Sequence, residues 1–229
     1  MLCLEMHHFY FRRWTMIISR QKDLQVLFEG LSPDDSFFVI GCGKCAKKLR
    51  VGGQKEVEEV FWRLVDRGFR AVGWYVISTA CSINSWEEIA SEKPEIDDAT
   101  AFLVMACGNG VSVINRVSGM KAYPLLDTTS IGGVCDDYML HEQCAACADC
   151  NIHLYHGICP YAQCPKGLQN GPCGGSIDGV CEIGSERSCV WAQIYEEAEK
   201  SENLEVFTEF HPPKDHSKKV RREGLIEKI

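Results

Sequence analysis

Between Cys144 and Cys189 the chain places eight cysteines in 46 residues, with the spacing C-x2-C-x2-C-x8-C-x4-C-x8-C-x7-C-x7-C. Glycines and prolines are frequent there, and apolar periodicity is nearly absent. Such a stretch cannot build a normal hydrophobic core, so cross-links or ligated metal must hold it together. Cysteine is abundant in the rest of the chain too, 14 in 229 residues overall, well above ordinary usage.

What those cysteines do depends on their compartment. Residues 1–15, MLCLEMHHFYFRRWT, interrupt their apolar residues with Glu5, two histidines and Arg12-Arg13, and no small-residue cleavage site follows. They do not read as a secretory signal. They read instead as an over-extended start, with Met16 the better beginning and Cys3 given no role. The stretch from Met16, IISRQKDLQVLFEGL, is expected to form an amphipathic helix. The expected location is cytoplasmic, where structural disulfides are disfavoured. Closely spaced cytosolic cysteines then read as metal or cluster ligands rather than as scattered buried or redox thiols. The net charge of -8 offers no global basic field for nucleic acid or an anionic membrane. No apolar run reaches the roughly 18 residues of a membrane span.

The chain before the cysteine run has a different pattern. FFVIG (37–41), FRAVGWYVIS (69–78) and AFLVMA (101–106) read as three apolar strands, and MKAYPLLD as a fourth weakened by Pro124. Between them Val57, Val60, Phe61, Leu64 and Val65 follow one helix face, and Gly68 is the expected stop. SWEEIASEK starts a second helix, with Ser85 as cap and Glu88 three residues on. GVSVINRVSG makes a third, ending at Gly119. Strands apolar throughout and separated by helices imply a parallel sheet covered on both faces. The fold class is therefore α/β: a small parallel sheet with flanking helices over residues 16–133, followed by a cysteine-rich, irregular metal-cluster module over 134–200. VWAQIYEEAEK closes that module as a helix, and residues 201–229 read as a polar, Pro-broken tail or docking arm. KKVRR (218–222) reads as a solvated charge run.

Two sets of candidate ligands follow. Cys42 and Cys45, in GCGKC, come directly after strand one; Cys81 follows strand two and Cys107 follows strand three. All four fall at the carboxyl ends of parallel strands, where open α/β sheets hold their ligands. Four thiolates suit an iron–sulfur cluster, and zinc would accept the same ligands. The bland alternative makes Cys81 and Cys107 small buried hydrophobes. In the second set, Cys144, Cys147 and Cys150 have the C-x2-C-x2-C spacing of bacterial ferredoxins, with a remote fourth ligand. Cys159 and Cys164 are each followed by proline, as that remote ligand commonly is, and Cys173, Cys181 and Cys189 complete the set. His141, His153 and His156 stand nearby and read as solvent-facing or hydrogen-bonded rather than as zinc ligands. Gly108-Asn109-Gly110 and Gly52-Gly53 match no full nucleotide-binding pattern.

At GICPYAQCPKGLQNGPCGGSIDGVCEIGSERSCVWAQIY the sequence resembles the methylenetetrahydrofolate reductase C-terminal-type domain, the small subunit of acetogen- and clostridial-type reductases. The resemblance rests on CPKGLxNGPCGG at Cys164 to Gly175 and on C-x-W-x-x-I-Y at Cys189, Trp191, Ile194 and Tyr195. It rests also on C-x2-C-x2-C at Cys144 to Cys150 and on the GCGxC strand end at Gly41 to Cys45, and spans about residues 20–200. It implies an electron-transfer accessory subunit carrying 4Fe–4S clusters, two expected and three at most. These would feed the flavin of a partner catalytic subunit in folate one-carbon metabolism, with further electron-donor subunits conceivable. On that picture Cys42, Cys45, Cys81 and Cys107 hold one cluster, and Cys144, Cys147, Cys150 and a later cysteine hold another. A barrel of about 250 residues does not fit in this chain, and neither paired carboxylates nor a nucleophile with a base is evident, so no catalytic residue is assigned. The competing readings are a structural zinc scaffold of the same complex and, behind it, an enzyme with a pocket beside Cys42, Asn109 and Asp127.

Overall fold

The computed structural model describes residues 15–134 and 140–219. Two compact units divide the chain, Met16–Thr129 and a second from Ser130 onward.

In the first unit β1 (Thr15–Gln21) is followed by α1 (Leu24–Glu29). The expected helix from Met16 is thus a strand and then a short helix. Asp23 explains the division, because its carboxylate accepts the Gln25 N–H at 2.8 Å and caps the helix there. Next come β2 (Ser36–Cys42), α2 (Cys45–Lys48), α3 (Gln54–Asp66), β3 (Arg70–Ile77), α4 (Ser85–Glu92), β4 (Ala101–Met105), α5 (Gly108–Ser118) and β5 (Lys121–Pro124). β6 (Leu126–Val134) carries the chain from the first unit into the second.

Strands β3, β2, β4 and β5 form, in that order, a fully parallel sheet. Every residue of β2 and of β4 is buried, as the continuous apolar runs require of strands covered on both faces. Alternation sorts the side chains. Phe38, Ile40 and Cys42 join Phe102 and Val104 in one core with Ile89 of α4 and Ile114 of α5. Phe37 and Val39 join Leu103 and Met105 in the other, with Phe28 of α1 and Val57, Val60 and Leu64 of α3. Each such side chain contributes roughly 1.5–3 kcal/mol on burial. The sheet turns one way from β2 to β3, then crosses back to β4, so the carboxyl ends of β2 and β4 flank a topological switch point.

Local chemistry departs from expectation at α4. Ser85 is inside the helix, Asn84 precedes it without a side-chain cap, and no capping box forms. The Glu88 carboxylate instead accepts the Ser78 N–H at 3.1 Å and the Tyr75 hydroxyl at 3.4 Å. A strand end offering free donors competes successfully with the helix's own first turn.

In the second unit β7 (Leu140–Cys144) pairs antiparallel with β6, Gly132 opposite Glu142. Short 3-10 turns, α6 (Pro160–Gln163) and α7 (Val190–Lys200) follow. The core is small: Tyr155, Cys189, Val190, Trp191, Ile194 and Val206. It is largely aromatic, with Tyr155 edge-on to Trp191 at 5.8 Å and Trp191 against Phe207 at 5.9 Å. The arm beyond α7 belongs to this unit, since Val206, His211 and Lys214 are all buried. Asn170 holds it by accepting the His211 N–H at 2.6 Å and donating to the His211 carbonyl at 2.9 Å.

Candidate metal centres

The four strand-end cysteines of the first unit stand along the carboxyl edge of the sheet, with Cys81 in electrostatic reach of the other three. Cys42 ends β2, Cys45 opens α2 and Cys107 precedes the first turn of α5. Cys81 follows β3 by four residues. Its thiol is pushed above the ordinary range, first by partial burial and then by the neighbouring Cys107, Cys42 and Cys45 thiols. Cys81 therefore holds its proton more firmly than an isolated thiol does, an effect that a bound cation would reverse.

Close backbone packing creates this arrangement. Gly43 donates to the Ile77 carbonyl at 2.8 Å, drawing the C-x2-C turn onto the end of β3. The Gly52 carbonyl accepts the Cys42 N–H at 3.0 Å. A Cβ on Gly52 would overlap the Met105 carbonyl and stand 2.8 Å from the Ala46 Cβ. Gly52 thus serves to seat the cysteine turn against β4. Gly108 likewise donates to the Thr128 hydroxyl at 2.9 Å rather than facing an open anion site.

In the second unit the cysteines sort into two neighbourhoods. Ala146 and Ala148, between the cysteines of C-x2-C-x2-C, have φ of 49° and 61°. Left-handed alanine costs about 1–2 kcal/mol, and such strain gathers at functional sites. The Cys144 sulfur accepts the Ala146 N–H at 3.3 Å, and the Cys147 thiol donates to the Asp149 carbonyl at 3.5 Å. Cys159 joins this neighbourhood. Burial pushes its thiol up first, Cys147 adds to that, and the Ala162 and Tyr161 backbone N–H groups and Lys214 oppose it.

The other neighbourhood is a cavity of about 20 Å³ lined by Cys164, Cys173, Cys181 and Cys189, enough for one water-sized body. Cys164 ends α6 and Cys189 precedes α7. The Cys189 N–H reaches the Gly179 carbonyl at 2.7 Å. Cys173 is held below the ordinary thiol range chiefly by the Gly175 N–H, with Lys166 assisting. Lys166 also pairs with Glu182 beside it.

All twelve described cysteines carry free thiols. As the side chains stand, no three His, Cys, Asp or Glu among the described residues close around a single metal point. Cys3 and Cys135 lie outside the described residues. His141 and His153 are exposed, and His156 meets the Ser201 hydroxyl at 3.3 Å. Of KKVRR, Lys218 pairs with Asp149 at 2.5 Å, and residues 220–222 lie outside the described residues. No helix of the described residues is long and apolar enough to cross a membrane. The residue that motif reading missed is Lys214. Nothing in HPPKDHSKK distinguishes it from a solvated lysine, because its environment is supplied by residues more than sixty positions away.

No curated protein and no solved structure matches the chain. One family model does, over less than half of the chain and with the α/β unit before Tyr123 outside it. The match runs through the second unit and the docked arm: residues 123–217 are similar to the family described as methylene-tetrahydrofolate reductase C terminal.

Proposed function

We propose that the chain is an electron-transfer accessory subunit of a methylenetetrahydrofolate reductase, serving the flavin of a partner catalytic subunit. The observation that carries this reading is the position of Cys42, Cys45, Cys81 and Cys107 at the carboxyl edge of one parallel sheet, with Cys81 in electrostatic reach of the other three. In the second unit Cys159 is in reach of Cys147, and Cys144 and Cys150 stand on either side of Cys147 in the strained C-x2-C-x2-C run. An all-thiolate donor set fits 4Fe–4S clusters. Bound there, such a cluster supplies a one-electron relay. The residues' own task is to present thiolates, satisfy them with backbone N–H groups, as Ala146 does for Cys144, and keep the loops closed. The similarity of residues 123–217 to the reductase family supports the choice of partner.

Cys164, Cys173, Cys181 and Cys189 favour a second reading for their own neighbourhood. These four line one cavity, and tetrahedral zinc takes four cysteines. Zinc at that position and clusters at the other two are compatible.

The test is iron, acid-labile sulfide and zinc per chain on protein purified without oxygen. Two clusters predict about eight irons and about eight sulfides per chain. Cys45→Ser and Cys147→Ser should each lower the iron, and Cys3→Ser should not. Zinc alone, without sulfide, would overturn the electron-transfer reading and leave a structural scaffold.

A further inference from the structure

Strand β3 is hydrogen-bonded to β2 on one side, and among the described residues no strand pairs with its other side. Such an edge is normally short, charged or covered, because its free N–H and C=O groups recruit another strand. β3 is eight residues long, and between Arg70 and Ile77 it carries no charge, only Ala71, Val72, Gly73, Trp74, Tyr75 and Val76. All six are partly exposed, whereas every residue of β2 and β4 is buried. The one irregularity in the pairing, opposite Phe37 and Phe38, falls near the amino end. Residues 73–77 keep regular register and leave an edge fit for pairing.

The helix beside this edge is apolar on the same side. Phe61 of α3 and Trp74 and Val76 of β3 are partly buried against one core cluster. Beyond them Trp62 and Val65 are 59% and 40% exposed, and the Trp62 ring meets Phe61 edge-on at 5.2 Å. The opposite flank of α3, with Glu59, Arg63 and Arg67, borders α1 instead. A surface tryptophan set among apolar side chains marks an interface.

Charge selects the occupant. Arg70, at the amino end of β3, is exposed and forms no ion pair among the described residues. At the carboxyl end stand Glu88 and Glu92, which also lack a cationic partner there. Glu88 accepts the Tyr75 hydroxyl at 3.4 Å, and both carboxylates add to the effect of burial in holding that hydroxyl above its ordinary range. A strand with a cation at one end and carboxylates at the other complements itself when two copies run antiparallel about a two-fold axis.

We infer that β3 is the pairing edge of a homodimer. The β3 strands of two copies run antiparallel and join two four-stranded sheets into one. Phe61, Trp62 and Val65 of each α3 meet across the axis, and Arg70 of one copy faces Glu92 of the other. The inference is independent of the metal reading, because every residue it uses lies in the α/β unit.

The test is sedimentation equilibrium of the full chain from nanomolar to high micromolar concentration, kept reduced and without oxygen so that no disulfide joins two copies. Wild type should be a dimer. Trp62→Glu and Arg70→Glu, both at exposed positions, should each weaken it by about tenfold or more. Adding Glu92→Arg to Arg70→Glu should restore wild-type association. A wild-type chain that is monomeric throughout overturns the inference, and so does a dimer that neither single variant weakens. Should Trp62→Glu misfold, the charge swap decides. Recovery in the double variant supports the antiparallel pairing, and association left as weak as in Arg70→Glu alone overturns it.

Discussion

The two units are built on different physics. The α/β unit buries two full strands and packs helices on both faces, so Phe37, Phe38, Phe102 and Leu103 are wholly removed from water. The cysteine-rich unit has one small aromatic core around Trp191. Much of its order comes from single ties, such as Asn170 to the His211 backbone and Lys214 to the Asp149 carbonyl. Of the four strand-end cysteines in the first unit only Cys42 belongs to the buried core, which is otherwise built from apolar side chains. Of the eight in the second, Cys147 and Cys189 are buried, and Cys144, Cys150 and Cys173 are exposed. With so small a core, the second unit is the one expected to need ligated thiols in order to fold.

Metal removal is the strongest way to break that contrast. Structural metal–thiolate centres contribute on the order of 10 kcal/mol to folding. Chelation under reducing conditions should abolish amide protection around Cys164 to Trp191 while β2 and β4 keep theirs. Protection retained in both units would refute the contrast.

A smaller effect is expected at Gly52. Gly52→Ala forces a Cβ against the Met105 carbonyl, an overpacking cost of about 1–3 kcal/mol. Urea unfolding should show that loss in the α/β unit. If the proposed clusters are bound, iron should fall only by the share assigned to Cys42, Cys45, Cys81 and Cys107, because the Cys42 N–H depends on the Gly52 carbonyl.

The smallest effect should come from Asn170→Ala. Losing two hydrogen bonds to the His211 backbone costs about 1–2 kcal/mol. It should speed amide exchange over residues 205–217 and leave the α/β unit unchanged. An effect spread over both units would show that the arm does more than close its own module.

Where one periodicity dominated, the sequence was legible. The apolar runs of β2 and β4 were readable because a strand covered on both sides needs unbroken hydrophobicity, and the face of α3 because its apolar residues recur at the helical period. Phe61 and Val65 mark the limit of that logic, for only Val57, Val60 and Leu64 of that face are fully buried. The start of α4 and the division of β1 from α1 were not legible, since each depends on one carboxylate choosing between two nearby donors. Glu88 found a strand end, and Asp23 found a helix turn.

For the candidate sites, the sequence by itself determined which thiols are available and that four of them follow strand ends. Spacing within a motif is local, and strand ends are set by hydrophobic pattern. Only the tertiary structure decided that Cys159 keeps company with Cys147 while Cys164 joins Cys173, Cys181 and Cys189. Both cysteines precede a proline, and no local rule separates them. Only the tertiary structure, too, turned a lysine of a polar arm into a buried cation. Burial and charge pairing are properties of what the chain brings together from afar, and those neighbours are not written beside the residue.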